Sequence, residues 1–385
     1  MATTHVFVVD TRTFKIHLEY LFAGTGSRND VIDFNNFMRT SLPYQKENNL
    51  LGMIADSQRI RKGDYVIFYL QQNKSQRVYE GKFFGIFMAS DNFSFLDNNN
   101  YEQYLRAELD KSLTFRIKIK PFEVYAKGVT EWEALDEISR INSPYQMLWS
   151  LIYRKLKGNR GNTMITIYES DRLFKLLRDK NEKNIVEGTG FSFDFNKQEI
   201  IKSFPVFYSG RREVINIFPR LENKYLLNQA FETHLQAYII QHLGIGQNMS
   251  LDECVLGGLE LEWLGNEVSC GVGMQRIDIL TSLRKSNSRI IQAIELKATT
   301  ANCSIVHQLQ RYIDWLEQYY IPNRISDIQP LIIAKKAVDK TQKEFQDLIQ
   351  YFLMFNTRNN TCYPIKYIEY SIIDHQLVFE IFNYT

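Results

Sequence analysis

Asp278, Glu295 and Lys297 are the residues of this chain whose types and spacing most directly suggest chemistry. They stand in Arg276-Ile-Asp-Ile-Leu280 and in Ala293-Ile-Glu-Leu-Lys297, with Gln308-Leu-Gln-Arg-Tyr312 following. Side chains alternate along a strand, so Asp278 takes one face while Ile277 and Ile279 take the other. By the same alternation Glu295 and Lys297 share a face, with Ile294 and Leu296 opposite. The segment Thr281 to Arg289, rich in Ser, Asn, Lys and Arg, is expected to turn the chain between the two strands. Asp278 then lies beside Glu295, and two carboxylates meet one ammonium.

That trio suits magnesium chemistry. Mg²⁺ prefers oxygen ligands, keeps several waters, and is usually held by one or two carboxylates together with substrate phosphate oxygens. Asp278 and Glu295 are the expected metal ligands. A lysine beside such a site orients or helps deprotonate a metal-bound water and offsets charge on the attacked phosphate, the role expected of Lys297. The plainer reading is that acidic residues end many apolar strands, and short motifs recur by chance.

Neighbouring elements add to the pattern. Between Asn228 and Leu243, Phe231, Leu235, Tyr238, Ile239 and Leu243 recur at helical spacing, with Glu232 early on that helix. Gln308 and Tyr312 lie one turn apart on a second amphipathic helix, and Pro330-Leu-Ile-Ile-Ala334 suits a buried strand after it.

In this order the pieces resemble the PD-(D/E)XK nuclease superfamily, closest to its NucS-type and RecB-type members, over about Asn216 to the C-terminus. The resemblance implies an α/β nuclease domain, a mixed sheet flanked by helices of the restriction endonuclease-like kind. It assigns catalytic roles to Asp278, Glu295, Lys297, Glu232 and Gln308, with Tyr312 completing the helix motif. A proline often precedes the aspartate in that superfamily; Ile277 stands there in this chain.

Composition sets the frame. At 385 residues the chain is long for one core and calls for two domains. Its 46 basic and 44 acidic residues leave +2, so DNA affinity has to come from local clusters. Cys254, Cys270, Cys303 and Cys362 are scattered, which argues against structural zinc and fits a reducing cytoplasm. No apolar run approaches the roughly 18 residues of a spanning helix, so no membrane is expected. The six histidines form no metal-spaced pair, and no Gly-x-Ser-x-Gly elbow or complete phosphate loop occurs.

The first half reads as mostly β. Strands are expected over Val6–Asp10, Arg61–Leu70, Glu80–Ser90 and Leu113–Lys120, spaced for a small barrel or strongly curved sheet. Lys62-Gly-Asp-Tyr-Val-Ile-Phe-Tyr69, followed by Gly81-Lys-Phe-Phe-Gly-Ile-Phe87, resembles the PUA superfamily with its EVE and YTH domains, over about His5 to Val124. That resemblance implies a PUA-like barrel that binds nucleic acid, in several members by holding a flipped or modified base. Tyr44, Phe68, Tyr69, Phe84 and Trp132 are aromatic candidates for such a cage, but burial tendencies favour the core for each, and none is assigned to it.

The expected organisation is a PUA/EVE-like DNA-recognition domain over 1–128, a helical connector with a basic loop over 129–215, and a nuclease domain over 216–385. In the connector a helix starts after Ser143-Pro and ends at Gly158, where Arg154, Lys155, Lys157 and Arg160 cluster. They form either a solvated face favoured by the helix dipole or a DNA phosphate-contacting element. The expected function is a Mg²⁺-dependent restriction endonuclease acting on double-stranded DNA as a homodimer, since cutting both strands needs two active sites. Two alternatives are a NucS-like mismatch- or structure-specific repair nuclease and a non-catalytic nucleic-acid-binding protein.

Overall fold

Consecutive residues of the N-terminal strands go to opposite cores. Val6, Ile67, Phe83 and Ile86 fill one cluster, and their neighbours Phe7, Phe68, Phe84 and Phe87 fill another. A sheet covered on both faces needs apolar residues at every position, hence near-continuous runs such as Tyr65-Val-Ile-Phe-Tyr-Leu70. In a computed structural model of the chain, the residues described are 2–26, 31–34, 43–99, 102–136, 139, 141–151, 161–270, 275–320 and 327–384. Two compact units emerge: Met1–Asp33 with Asp56–Ile215, and Phe34–Ala55 with Asn216–Thr385. Residues 129–215, expected as a connector, belong to the first of these units.

The first unit is built on β1 (Thr4–Val9), β2 (Phe22–Thr25), β3 (Tyr65–Leu70), β4 (Lys82–Ala89), β5 (Phe95–Leu96), β6 (Phe115–Pro121), β7 (Val129–Thr130) and β8 (Asn162–Ile165). They join in the order β2-β6-β4-β3-β1-β8, with β5 on β6 and β7 on β4. The sheet curls into a half-barrel. Among the described residues β2 and β8 end the path without pairing to each other, while Gly161, just before β8, lies close against Thr25 at the end of β2. β1 and β3 run parallel, and the other pairs of this sheet are antiparallel. The helix Thr11–Tyr20 lies against the sheet, started by Asp10, whose carboxylate accepts from Thr13 N–H in a capping box. A separate hairpin of β9 (Gly190–Asp194) and β10 (Glu199–Ser203) adds Phe191, Phe193 and Ile200 to the same core.

The second unit carries a six-stranded mixed sheet ordered β11 (Glu260–Ser269), β12 (Arg276–Lys285), β13 (Ser288–Lys297), β14 (Ile328–Lys335), β15 (Lys366–Ile373) and β16 (Gln376–Ile381). β11, β12 and β13 are antiparallel; β13, β14 and β15 are parallel; β16 returns antiparallel as the edge. Each parallel step is bridged by a helix, Ile305–Trp315 between β13 and β14 and Lys343–Arg358 between β14 and β15. Parallel neighbours demand such crossovers, and helices on a face explain why Leu331, Ile332, Ile333 and Ala334 are all buried. Pro330 is tolerated because it lies before the residues at which β15 begins to pair.

Two expectations need correction. The segment 281–289 turns the chain as expected but mostly as strand: β12 continues to Lys285 and β13 starts at Ser288, leaving a two-residue turn with Ser286 at φ 49°. The last two strands, β15 and β16, form a hairpin that joins the mixed sheet through β15. The expected helix after Ser143 shows a 3-10 turn at Pro144–Gln146. Arg154, Lys155, Lys157 and Arg160 lie outside the described residues.

Candidate active site

The site forms where β12 and β13 begin to part. Ile279 pairs with Ile294, so Asp278 and Glu295 stand level with each other one step farther along. There the ladder gives way to a side chain: Asp278 Oδ2 accepts the Leu296 N–H at 2.8 Å. Glu295 is buried, with Oε1 taking the Lys297 ammonium at 2.7 Å and Oε2 taking the Tyr312 hydroxyl at 2.9 Å. Alternation along β13 thus brings Glu295 and Lys297 together as their spacing implies.

The helix Glu232–His242 supplies the next residues. Glu232 Oε1 lies 3.5 Å from Lys297 Nζ and stays half-exposed, so Lys297 bridges one buried and one solvated carboxylate. Gln236, one turn on, donates to the Asp278 carbonyl oxygen at 2.8 Å. On the helix Ile305–Trp315, Gln308 donates to the Tyr312 hydroxyl at 2.5 Å, and that hydroxyl also lies 2.7 Å from the Arg276 carbonyl. Tyr312 therefore touches the carboxylate, and Gln308 reaches the site through Tyr312.

Charge is unevenly distributed here. The Asp278 carboxyl is held well above the usual range by burial first and by Glu295 next. Glu295 is raised by burial, opposed by the Lys297 charge and by its hydrogen bonds from Lys297 and Tyr312. Burial alone would lower Lys297, but Glu295, Glu232 and Asp278 outweigh it and move it upward. In the metal-free fold Lys297 is thus a cation that donates to Glu295.

These donors suit a hard cation. Asp278 and Glu295 offer carboxylate oxygens level with each other, and Mg²⁺ asks for only one or two such ligands because waters and phosphate complete its shell. Among the described residues no group of three His, Cys, Asp or Glu converges as a metal cage. Asp278 and Glu295 are the two residues that could hold such an ion, with waters filling the rest of its shell.

Sequence reasoning missed Gln236 and Glu267. Gln236 carries a readable signal, four residues after Glu232 on one helical face. Glu267 enters through the β11–β12 register, which no local pattern announces. The aromatic candidates of the first unit divide: Phe68 and Phe84 are core, Tyr69 donates to Glu131 at 2.9 Å, and Trp132 is 63% exposed.

The chain matches no family model and no curated protein. Two solved structures overlap its fold in part. One is human THYN1 protein in complex with 5-methylcytosine containing DNA, at 10% identity and TM-score 0.25, covering 48% of this chain and 99% of that chain. The other is the DUF55 domain of human thymocyte nuclear protein 1, at 11% identity and TM-score 0.24, covering 45% of this chain and 97% of that chain.

Proposed function

We propose that this protein is a Mg²⁺-dependent endodeoxyribonuclease of the restriction type, with a C-terminal PD-(D/E)XK-like unit that hydrolyses phosphodiester bonds and an N-terminal PUA-like unit that recognises DNA. The observation that carries the reading is the placement of Asp278 and Glu295 at one level of adjacent strands, with Lys297 on the Glu295 carboxylate. The two helix-bridged parallel steps beside β13 are compatible with it.

Asp278 and Glu295 would hold the ion, which when bound polarises a phosphoryl oxygen and acidifies a water. Lys297, which donates to Glu295, would offset charge that grows on the attacked phosphate. Tyr312 fixes the orientation of Glu295 through Oε2, and Gln308 fixes Tyr312. Glu232 keeps the Lys297 ammonium from collapsing wholly onto Glu295, because it offers a second carboxylate on the solvent side. Double-strand cleavage would require two copies of this site, hence a homodimer on double-stranded DNA.

The test is cleavage of plasmids of defined methylation state by the purified chain with Mg²⁺ and with EDTA. Mg²⁺-dependent scission that differs between modified and unmodified plasmids supports both halves of the proposal. Selective binding of one plasmid with no scission in Mg²⁺ would make this a non-catalytic DNA-binding protein and overturn the nuclease assignment. Scission confined to mismatched or branched duplexes would favour a repair nuclease.

A further inference from the structure

Asp278 occupies the middle of a row of carboxylates. The pairs Asn266 with Ile279 and Val268 with Ile277 bracket Glu267 and Asp278 across β11 and β12, while Glu295 stands level with Asp278 on the other side. Like charges opposite each other on neighbouring strands repel. Behind burial, both Glu295 and Glu267 push the Asp278 carboxyl upward. Glu267 also departs from extended backbone, at φ 52°, a left-handed conformation that costs a residue with a side chain.

Gln236 is built into this arrangement. It is buried on the helix that carries Glu232, and its Nε2 donates to the Asp278 carbonyl oxygen at 2.8 Å. The same nitrogen lies 3.4 Å from Glu267 Oε1, while Arg276 takes Glu267 Oε2. One amide therefore joins the aspartate strand, its neighbour strand and the Glu232 helix.

We propose that Gln236 is a positioning residue of the Asp278–Glu295 site: its amide ties the Asp278 backbone to Glu267 and sets the distance between the aspartate strand and the Glu232 helix. The inference rests on the reading that Asp278 and Glu295 hold a divalent cation. Groups that orient ligands from behind commonly matter about tenfold or more to metal affinity. Gln236→Met keeps the length and helix propensity of the side chain and removes both hydrogen bonds.

Isothermal titration of the full chain with Mn²⁺, alongside Asp278→Asn, tests the proposal. The expected result is binding by the wild type, loss in Asp278→Asn, and affinity about tenfold weaker in Gln236→Met in a protein that remains folded. Wild-type affinity in Gln236→Met, with loss in Asp278→Asn, overturns the positioning role and leaves the metal site standing. Equal binding by wild type and Asp278→Asn removes the metal site, and the positioning role with it. If Gln236→Met fails to fold, Gln236→Asn answers the same question, because it keeps the amide but draws it back by one methylene. Unchanged Mn²⁺ affinity in folded Gln236→Asn overturns the proposal, and a loss of about tenfold supports it.

Discussion

At the level of single residues, the site is arranged at the expense of stability. Asp278, part-buried, and Glu295, buried, are neighbouring carboxylates, both raised in the fold above their ordinary range. A carboxyl raised on folding favours its protonated form, so its contribution to stability is full below the unfolded value and is lost as pH rises through the folded one. Without divalent cation, stability should therefore fall as pH climbs from about 4 into the raised range of this pair. Asp278→Asn removes the charge and keeps an oxygen for the Leu296 N–H. In EDTA at neutral pH it should raise Tm by roughly 2–4 °C, the shift that about 1 kcal/mol gives a domain of this size. Scanning calorimetry of the two proteins reads this directly; a lower Tm for the variant would show that the pair is not repulsive. The residues of this site were legible in part. Alternation placed Glu295 beside Lys297, and helical spacing placed Gln308 beside Tyr312. Which of that second pair reaches the carboxylate depends on packing against β13, which spacing does not encode.

At the level of elements, long strands with strong alternation were legible, and elements defined by distant partners were not. The polar run from Thr281 to Arg289 suggests a loop, yet Arg284 and Arg289 both reach the buried Glu262 on β11 and draw the hairpin out to its two-residue turn. The helix Tyr44–Gln58 was unexpected for the same reason. Its Glu47 is buried against Arg220 at 2.8 and 3.0 Å and His234 at 2.7 Å, with Lys224 at 3.7 Å, residues nearly two hundred positions away. Despite burial, its bonds to His234 and Arg220 lower the Glu47 carboxyl from 4.5 to about 2. A lowered carboxyl stabilises above its unfolded value, so this contribution should be lost as pH falls from 4.5 through about 2. Removing one partner of a buried ion pair typically costs about 3–5 kcal/mol, so Glu47→Ala should unfold at markedly lower urea, with its deficit shrinking toward pH 2. A variant within about 1 kcal/mol of wild type at pH 7 would mean that the cluster is dispensable.

At the level of the whole molecule, the chain passes between its two units at residues 33–34, 55–56 and 215–216. A fragment starting at Asn216 therefore loses Glu47 and leaves Arg220, Lys224 and His234 without their carboxylate. It should be less stable than a fragment supplied with residues 34–55. The net charge of +2 supplies little general attraction to DNA, so the DNA recognition we propose would draw on local clusters, of which Arg154, Lys155, Lys157 and Arg160 are the proposed one. Neutralising these four should weaken binding to all duplexes alike and reduce the salt slope by about 0.9 for each phosphate that is no longer neutralised, as anisotropy at several salt concentrations would read. An unchanged slope would remove them from the interface. The central claim is that Asp278, Glu295 and Lys297 perform hydrolysis, and single-turnover cleavage of a labelled plasmid in Mg²⁺ by wild type and Glu295→Ala tests it most directly. The account predicts scission by the wild type and none above background by the variant, which still folds and binds DNA; wild-type cleavage by Glu295→Ala would contradict it.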